Sequence, residues 1–276
     1  MENTSAMSDF PGPQKFRRRT AGVSLAITAF LVPYTLGWGW AWWKFAGASL
    51  AIILSLCWAN PKDSVSKLGL RMGRIDIGLA VLSLFSVGLM AAYVIPHILR
   101  SFGYAADISY SHSWRYLATP FQVLNEEMVL RAVLLTILAR LVDRKVVVSV
   151  SVATVFAAAH FLLCRFGPPR TALSINALTT LFLVGVALNQ FFFTTGNIAI
   201  PFGIHLGWNF TRFGSHWVGQ TSGLDLPVGM DFNLIEGNFI VIALAAILLV
   251  LAVGTNQIFG YAPHFRSAQM VKRQYR

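Results

Sequence analysis

Charge is what this chain lacks most. Only 12% of its 276 residues are charged and 55% are apolar, against about 25% and about 45–50% in an average soluble domain. Mean hydropathy is +0.60. So little charge cannot coat a soluble globule of this size, and so much apolar content excludes intrinsic disorder. The composition is that of an integral membrane protein. Cysteine is scarce too, with two residues in the chain. Cys57 and Cys164 have no C-x-x-C spacing and fall on opposite sides of the bilayer in the topology derived below. Neither a disulfide between them nor a cysteine metal site is expected. Internal repeats and long linkers are also missing, so one membrane domain is expected.

What is abundant is apolar sequence in runs. A membrane span needs about 20 mostly apolar residues. Eight runs qualify as candidates: 20–42, 45–60, 75–99, 116–139, 146–164, 171–194, 197–213 and 235–255, the second and seventh being short. Residues 1–19 read as a disordered cytoplasmic tail, 20–255 as the transmembrane domain and 256–276 as a basic cytoplasmic tail. The apolar run after Lys15, Arg17, Arg18 and Arg19 is longer than a signal-peptide core and runs on into Trp38, Trp40, Trp42 and Trp43, an interfacial belt. It reads as a retained anchor.

The net charge of +11 comes from 22 basic against 11 acidic residues. With the N-terminus inside, 15 of the 22 basic residues lie on cytoplasmic segments. They stand before span one, between spans two and three, between spans four and five, and in the C-terminal tail. This obeys the positive-inside rule and favours eight crossings with both termini cytoplasmic. A bacterial plasma membrane is the expected location. Because the charges are spread over four segments, no basic face for nucleic acid is expected.

Charges inside a span cost about 2.5–3.5 kcal/mol each on insertion scales, so they mark function. Three polar clusters stand out. In span four, Glu127 and Arg131 are spaced i, i+4 and can pair on one helix face. The neighbouring Glu126 points about 100° away, free to take and return a proton in a site withdrawn from water. In span five, three alanines separate Phe156 from His160 and let another backbone or a substrate come close. In span seven, His205 and Asn209 share a face, and Gly203 and Gly207 permit a tight helix contact. Zinc-protease H-E-x-x-H and nucleophile-elbow G-x-S-x-G motifs are missing. What remains is water activated by a carboxylate, with His and Asn binding an oxyanion. His97, His216 and His264 lie at span ends or in loops and receive no role. The 214–234 loop, with Trp217, Asp225 and Asp231, reads as a cap over the cavity, with a gate as the alternative.

The ordered motifs Glu126-Glu127-x-x-x-Arg131, Phe156-x-x-x-His160 and His205-x-x-x-Asn209 resemble those of the CAAX protease and bacteriocin-processing (CPBP, or Abi) family of intramembrane endopeptidases. The resemblance covers about residues 115–215, and Lys67–Arg71 resembles the family's upstream segment. It implies an all-α polytopic membrane fold of about eight helices enclosing a catalytic cavity. It also implies Glu126 as general base helped by His160, an oxyanion site of His205 and Asn209, and a supporting role for Glu127, Arg131 and Phe156. A metal-free glutamate mechanism is the expectation. Zinc on His160, His205 and Glu126 is the alternative, should they converge within about 2 Å of one point. The implied partners are membrane lipid and a membrane-associated or lipidated peptide or protein substrate. A catalytically silent membrane scaffold or immunity-type protein of the same fold is the competing reading; a proton-coupled transporter would show the internal repeats that are missing here.

Counting helical rise, Glu126 lies roughly 13 Å below the outer end of span four, which sets the site in the outer half of the membrane and predicts precursors exposed on that side as substrates. Single cysteines introduced at Asp107, Arg165 and Asp225 are expected to react with an impermeant thiol reagent added outside the cell. Reaction at Asp63 and Asp143 instead would invert the topology.

Overall fold

The computed structural model describes residues 13–35, 42–59, 68–101, 107–110, 115–166, 172–218, 237–263 and 265. The remainder of both tails, Trp38, Trp40, Lys67, His264, Asp225 and Asp231 lie outside the described residues. The described chain is helical apart from one short ribbon. Its helices are α1 (Pro13–Thr35), α2 (Trp42–Ala59), α3 (Arg74–Ser101), α4 (Arg115–Leu141), α5 (Lys145–Phe166), α6 (Ile175–Thr195), α7 (Ala199–Gly214) and α8 (Phe239–Phe259). The ribbon pairs β1 (Asp107–Tyr110) antiparallel with β2 (Ser215–Val218), setting Ile108 opposite Trp217. It joins the chain just before α4 to the end of α7.

Among the described residues, four helical stretches are long and apolar enough to cross a membrane: Arg74–Ile98, Lys145–Arg165, Ile175–Thr195 and Phe239–Phe259. A shorter apolar helix covers Trp43–Ala59. The physical reasons for the others differ. α1 begins with a basic turn. α7, with 16 residues, is about 24 Å long, short of the ~30 Å hydrocarbon core. α4 is long but carries Glu126, Glu127 and Arg131 in its middle.

Two helices depart from α geometry. α3 widens into a π-helix over Met90–Val94 and α4 over Met128–Leu135. Such segments are uncommon and concentrate at functional sites. The π stretch of α4 starts directly after Glu127. In it the Thr136 hydroxyl donates to the Arg131 carbonyl at 3.2 Å, five residues back.

Small residues set the closest approaches. A Cβ on Gly203 or Gly207 would run into the backbone carbonyls of Ala80 and Leu84, respectively, so the two glycines let α7 lie directly on α3. Gly185 plays the same part between α6 and α5, against Ala153 and Phe156. The start of α3 is tied to the α6–α7 turn. Gly69, at φ +68, accepts the Ile198 amide at 3.1 Å, and the Asn197 side chain donates to Asp76 Oδ1 at 2.8 Å. The described part of the upstream segment, Leu68–Arg71, is therefore packing against the same helix pair that presents His205. Cys57 and Cys164 are not joined in a disulfide.

Gly203→Ala is expected to cost about 1–3 kcal/mol, as overpacking does, and to lower the unfolding midpoint in detergent. Gly78→Ala, where the new methyl meets nothing within 4 Å, should leave the midpoint unchanged or raised, since alanine suits a helix better than glycine. Equal midpoints for the two variants would refute the close α3–α7 contact.

Candidate active site

Three helices bring the motif residues together around one buried ion pair. Glu127 and Arg131 are both 0% exposed. On adjacent turns of α4, Arg131 Nη1 donates to Glu127 Oε1 at 3.0 Å. The same oxygen accepts from His205 Nδ1 of α7 at 2.8 Å. Arg131 Nε donates to Asn189 Oδ1 of α6 at 3.2 Å, and Asn189 Nδ2 donates on to the Ser149 carbonyl of α5 at 2.8 Å. The guanidinium also lies over the Phe156 ring, 5.1 Å from its centroid, a favourable cation–π contact. Four helices thus meet at one pair of opposite charges. Asn189 plays no part in the sequence reading. Its signal is a buried amide in the middle of an apolar span, the same kind of oddity that marks His160.

Glu126, one residue earlier on α4, faces elsewhere, as the helical rotation requires. It is 5% exposed. Its Oε1 accepts from Gln122 Nε2 at 3.2 Å, and its Oε2 lies 3.7 Å from His205 Nε2. That second distance is too long for a hydrogen bond. His205 is therefore held edge-on between two carboxylates. Its Nδ1–H is committed to Glu127, and its Nε2 is the nitrogen turned toward Glu126.

Beside these groups lies a mostly apolar pocket of about 110 Å³, room for several waters. Gln122, Phe156, His160, His205 and Asn209 supply part of its lining, with Met90 of the α3 π segment and Trp208 among the apolar walls. Glu126 is one step back from this wall, reached through Gln122 and His205. His160 is half-buried. Its Nδ1 sits 3.0 Å from the Phe156 carbonyl one turn back, so the proton belongs on Nδ1 and Nε2 is left as acceptor. The Phe156 ring meets His160 at 4.5 Å and His205 at 5.9 Å between centroids, both edge-on. Asn209, 8% exposed, lies one turn beyond His205 on the same face of α7.

Zinc, the alternative, would have to use the Nε2 atoms of the two histidines, because His205 Nδ1 is bonded to Glu127 and His160 Nδ1 to a backbone carbonyl. Among the described residues no three His, Cys, Asp or Glu side chains gather so as to hold a metal ion.

Glu127→Ala would leave Arg131 buried without its counter-charge, which typically costs about 3–5 kcal/mol. The variant is expected to unfold at a clearly lower temperature in detergent. A wild-type midpoint would show that the pair does not hold the helices together.

A family model, type II CAAX prenyl endopeptidase Rce1-like, matches residues 109–211. No curated protein and no solved structure matches the chain. The matched segment runs from the end of β1 through α4, α5 and α6 into α7, and contains Glu126, Glu127, Arg131, Phe156, His160, His205 and Asn209. Those helices, closed around a buried Glu–Arg pair, are the part of the chain that is similar to the Rce1-like type II CAAX prenyl endopeptidase family.

Proposed function

We propose that this CAAX-protease-like membrane protein is an intramembrane endopeptidase that hydrolyses a peptide bond with water activated by Glu126. The observation that supports this most is the division between two adjacent carboxylates. Glu127 is taken up by Arg131 and His205, whereas Glu126 leans on Gln122 and His205 beside the pocket. One acid is structural and the other is available for chemistry.

In this reading a water in the pocket gives a proton to Glu126 as its oxygen bonds to the scissile carbonyl carbon. The carbonyl π pair moves onto oxygen, where the Asn209 amide and His205 Nε2 receive the negative charge. To donate there, His205 carries a proton on Nε2 as well as on Nδ1, a cation flanked by two carboxylates. The intermediate collapses, the C–N bond breaks, and Glu126 returns the proton to the leaving amine. His160, an acceptor at Nε2, assists proton transfer from the pocket wall. An apolar pocket between helices suits a membrane-associated substrate. The charge distribution supports eight crossings with both termini cytoplasmic, in what we take to be a bacterial plasma membrane, and the helix count from the outer ends supports access from the outer leaflet.

The test compares the membrane and secreted peptides of cells carrying the wild-type protein or Glu126→Gln. Loss of a general base typically costs about 10²–10⁴-fold in rate, so at least one precursor is expected to accumulate at full length while the variant stays in the membrane at the wild-type level. Unchanged processing would reject the assignment and favour a scaffold. Asn209→Ala should lower turnover of the same precursor by about 10²–10³-fold, the usual loss for one oxyanion donor, with little change in KM.

A further inference from the structure

The carboxylate assigned to chemistry has a partner that no motif includes. Gln122 stands one turn before Glu126 on α4, lines the pocket, and donates its amide N–H to Glu126 Oε1 at 3.2 Å. The reverse orientation of the amide would set two oxygens against each other. With Oε1 so held, Oε2 is the oxygen directed toward His205 Nε2 at 3.7 Å. The other end of the amide is informative as well. Gln122 Oε1 is buried and has no hydrogen-bond partner among the described residues. Buried polar atoms are nearly always paired, so a lone acceptor on a pocket wall is an acceptor for what the pocket receives.

We propose that Gln122 is the positioning residue of the active site. It fixes the rotation of the Glu126 carboxylate so that Oε2, and not Oε1, meets the attacking water. The physical need is plain. Glu126 sits one step behind the pocket wall, and a glutamate side chain free to turn about its last bond would present either oxygen, or neither, to the pocket. A fixed donor one helical turn away removes that freedom, and displacing a reacting group by about 1 Å can cost about 100-fold in rate. Packing alone would not require glutamine at this place, since methionine has the same length and no polar end. This inference rests on Glu126 acting as the base.

The full-length protein in detergent is the material for the test, with Gln122→Met and Gln122→Glu as variants. The substrate-free readout is infrared. The carboxylate stretch of Glu126, isolated as the difference between wild type and Glu126→Gln, is expected to move in Gln122→Met because the N–H bond to Oε1 is gone. An unmoved band overturns the assignment. The kinetic readout uses the precursor that accumulates in Glu126→Gln cells, as a synthetic quenched fluorescent peptide spanning its processing site. Gln122→Met is expected to lower kcat about 100-fold, leave KM within about twofold and keep the unfolding midpoint. Gln122→Glu, which sets a second carboxylate against Glu126, should lose more. On the Glu126→Gln background Gln122→Met should add no further loss, because residues that act as a unit are not additive. Wild-type kcat in Gln122→Met, or a full extra loss on the Glu126→Gln background, refutes the positioning role. If Glu126→Gln itself processes every precursor normally while the infrared band still moves in Gln122→Met, the contact stands and the glutamate mechanism is what fails.

Discussion

The arrangement depends on one buried contact, the Glu127 carboxylate shared between Arg131 and His205. A carboxylate and a guanidinium removed from water lose hydration worth several kcal/mol each. They are tolerated only because each finds several partners. Glu127 draws on α4 and α7, and Arg131 reaches α6 and the Phe156 ring of α5. Apolar surfaces slide past one another in lipid, where neighbouring side chains and acyl tails are equally apolar. A shared charge does not slide, and it sets the register of four helices at once. It also fixes the orientation of the His205 ring through Nδ1, so Nε2 is directed to where Glu126 lies.

Small residues allow the rest of the structure to close on that contact. Gly203 and Gly207 bring α7 onto the backbone of α3, and Gly185 brings α6 onto α5. The turn between α6 and α7 is clasped to Gly69 and Asp76. His205 is thus anchored from below by its helix's packing and from the side by Glu127. The π segments of α3 and α4 fit the same picture. Met90 begins one and lines the pocket, and Glu127 immediately precedes the other. A widened turn re-aims the residues that follow without breaking the helix, at sites where side-chain direction matters more than local stability.

Much of this could be read from residues alone, because apolar runs and i, i+4 spacing follow from helical geometry. Each of the eight apolar runs overlaps a helical segment among the described residues, and Glu127–Arg131 pairs across one turn as its spacing requires. Four stretches meet the length and apolarity of a span without qualification; α4 does not, because Glu126, Glu127 and Arg131 stand in its middle. Other features were out of reach. Periodicity assigns a residue to a face but not to a partner, so the link from Arg131 to Asn189 and the turn of His205 toward Glu127 could not be foreseen. The π turns arise from packing and have no sequence signature. The β1–β2 ribbon joins residues more than a hundred positions apart. Gln122 sits in plain view one turn before Glu126, yet a lone glutamine near a helix start carries no signal until its amide is seen against the carboxylate.

The central claim is that two adjacent acids divide structure and chemistry between them. It is tested most directly by measuring unfolding midpoint and precursor turnover on the same preparations of Glu126→Gln and Glu127→Gln. Each change keeps the shape of the side chain, removes its charge and turns one acceptor oxygen into an amide donor. The account predicts a clean separation: Glu126→Gln keeps the wild-type midpoint and loses turnover, whereas Glu127→Gln lowers the midpoint because Arg131 loses its counter-charge. Two variants that shift the midpoint alike, or that both keep turnover, would contradict it.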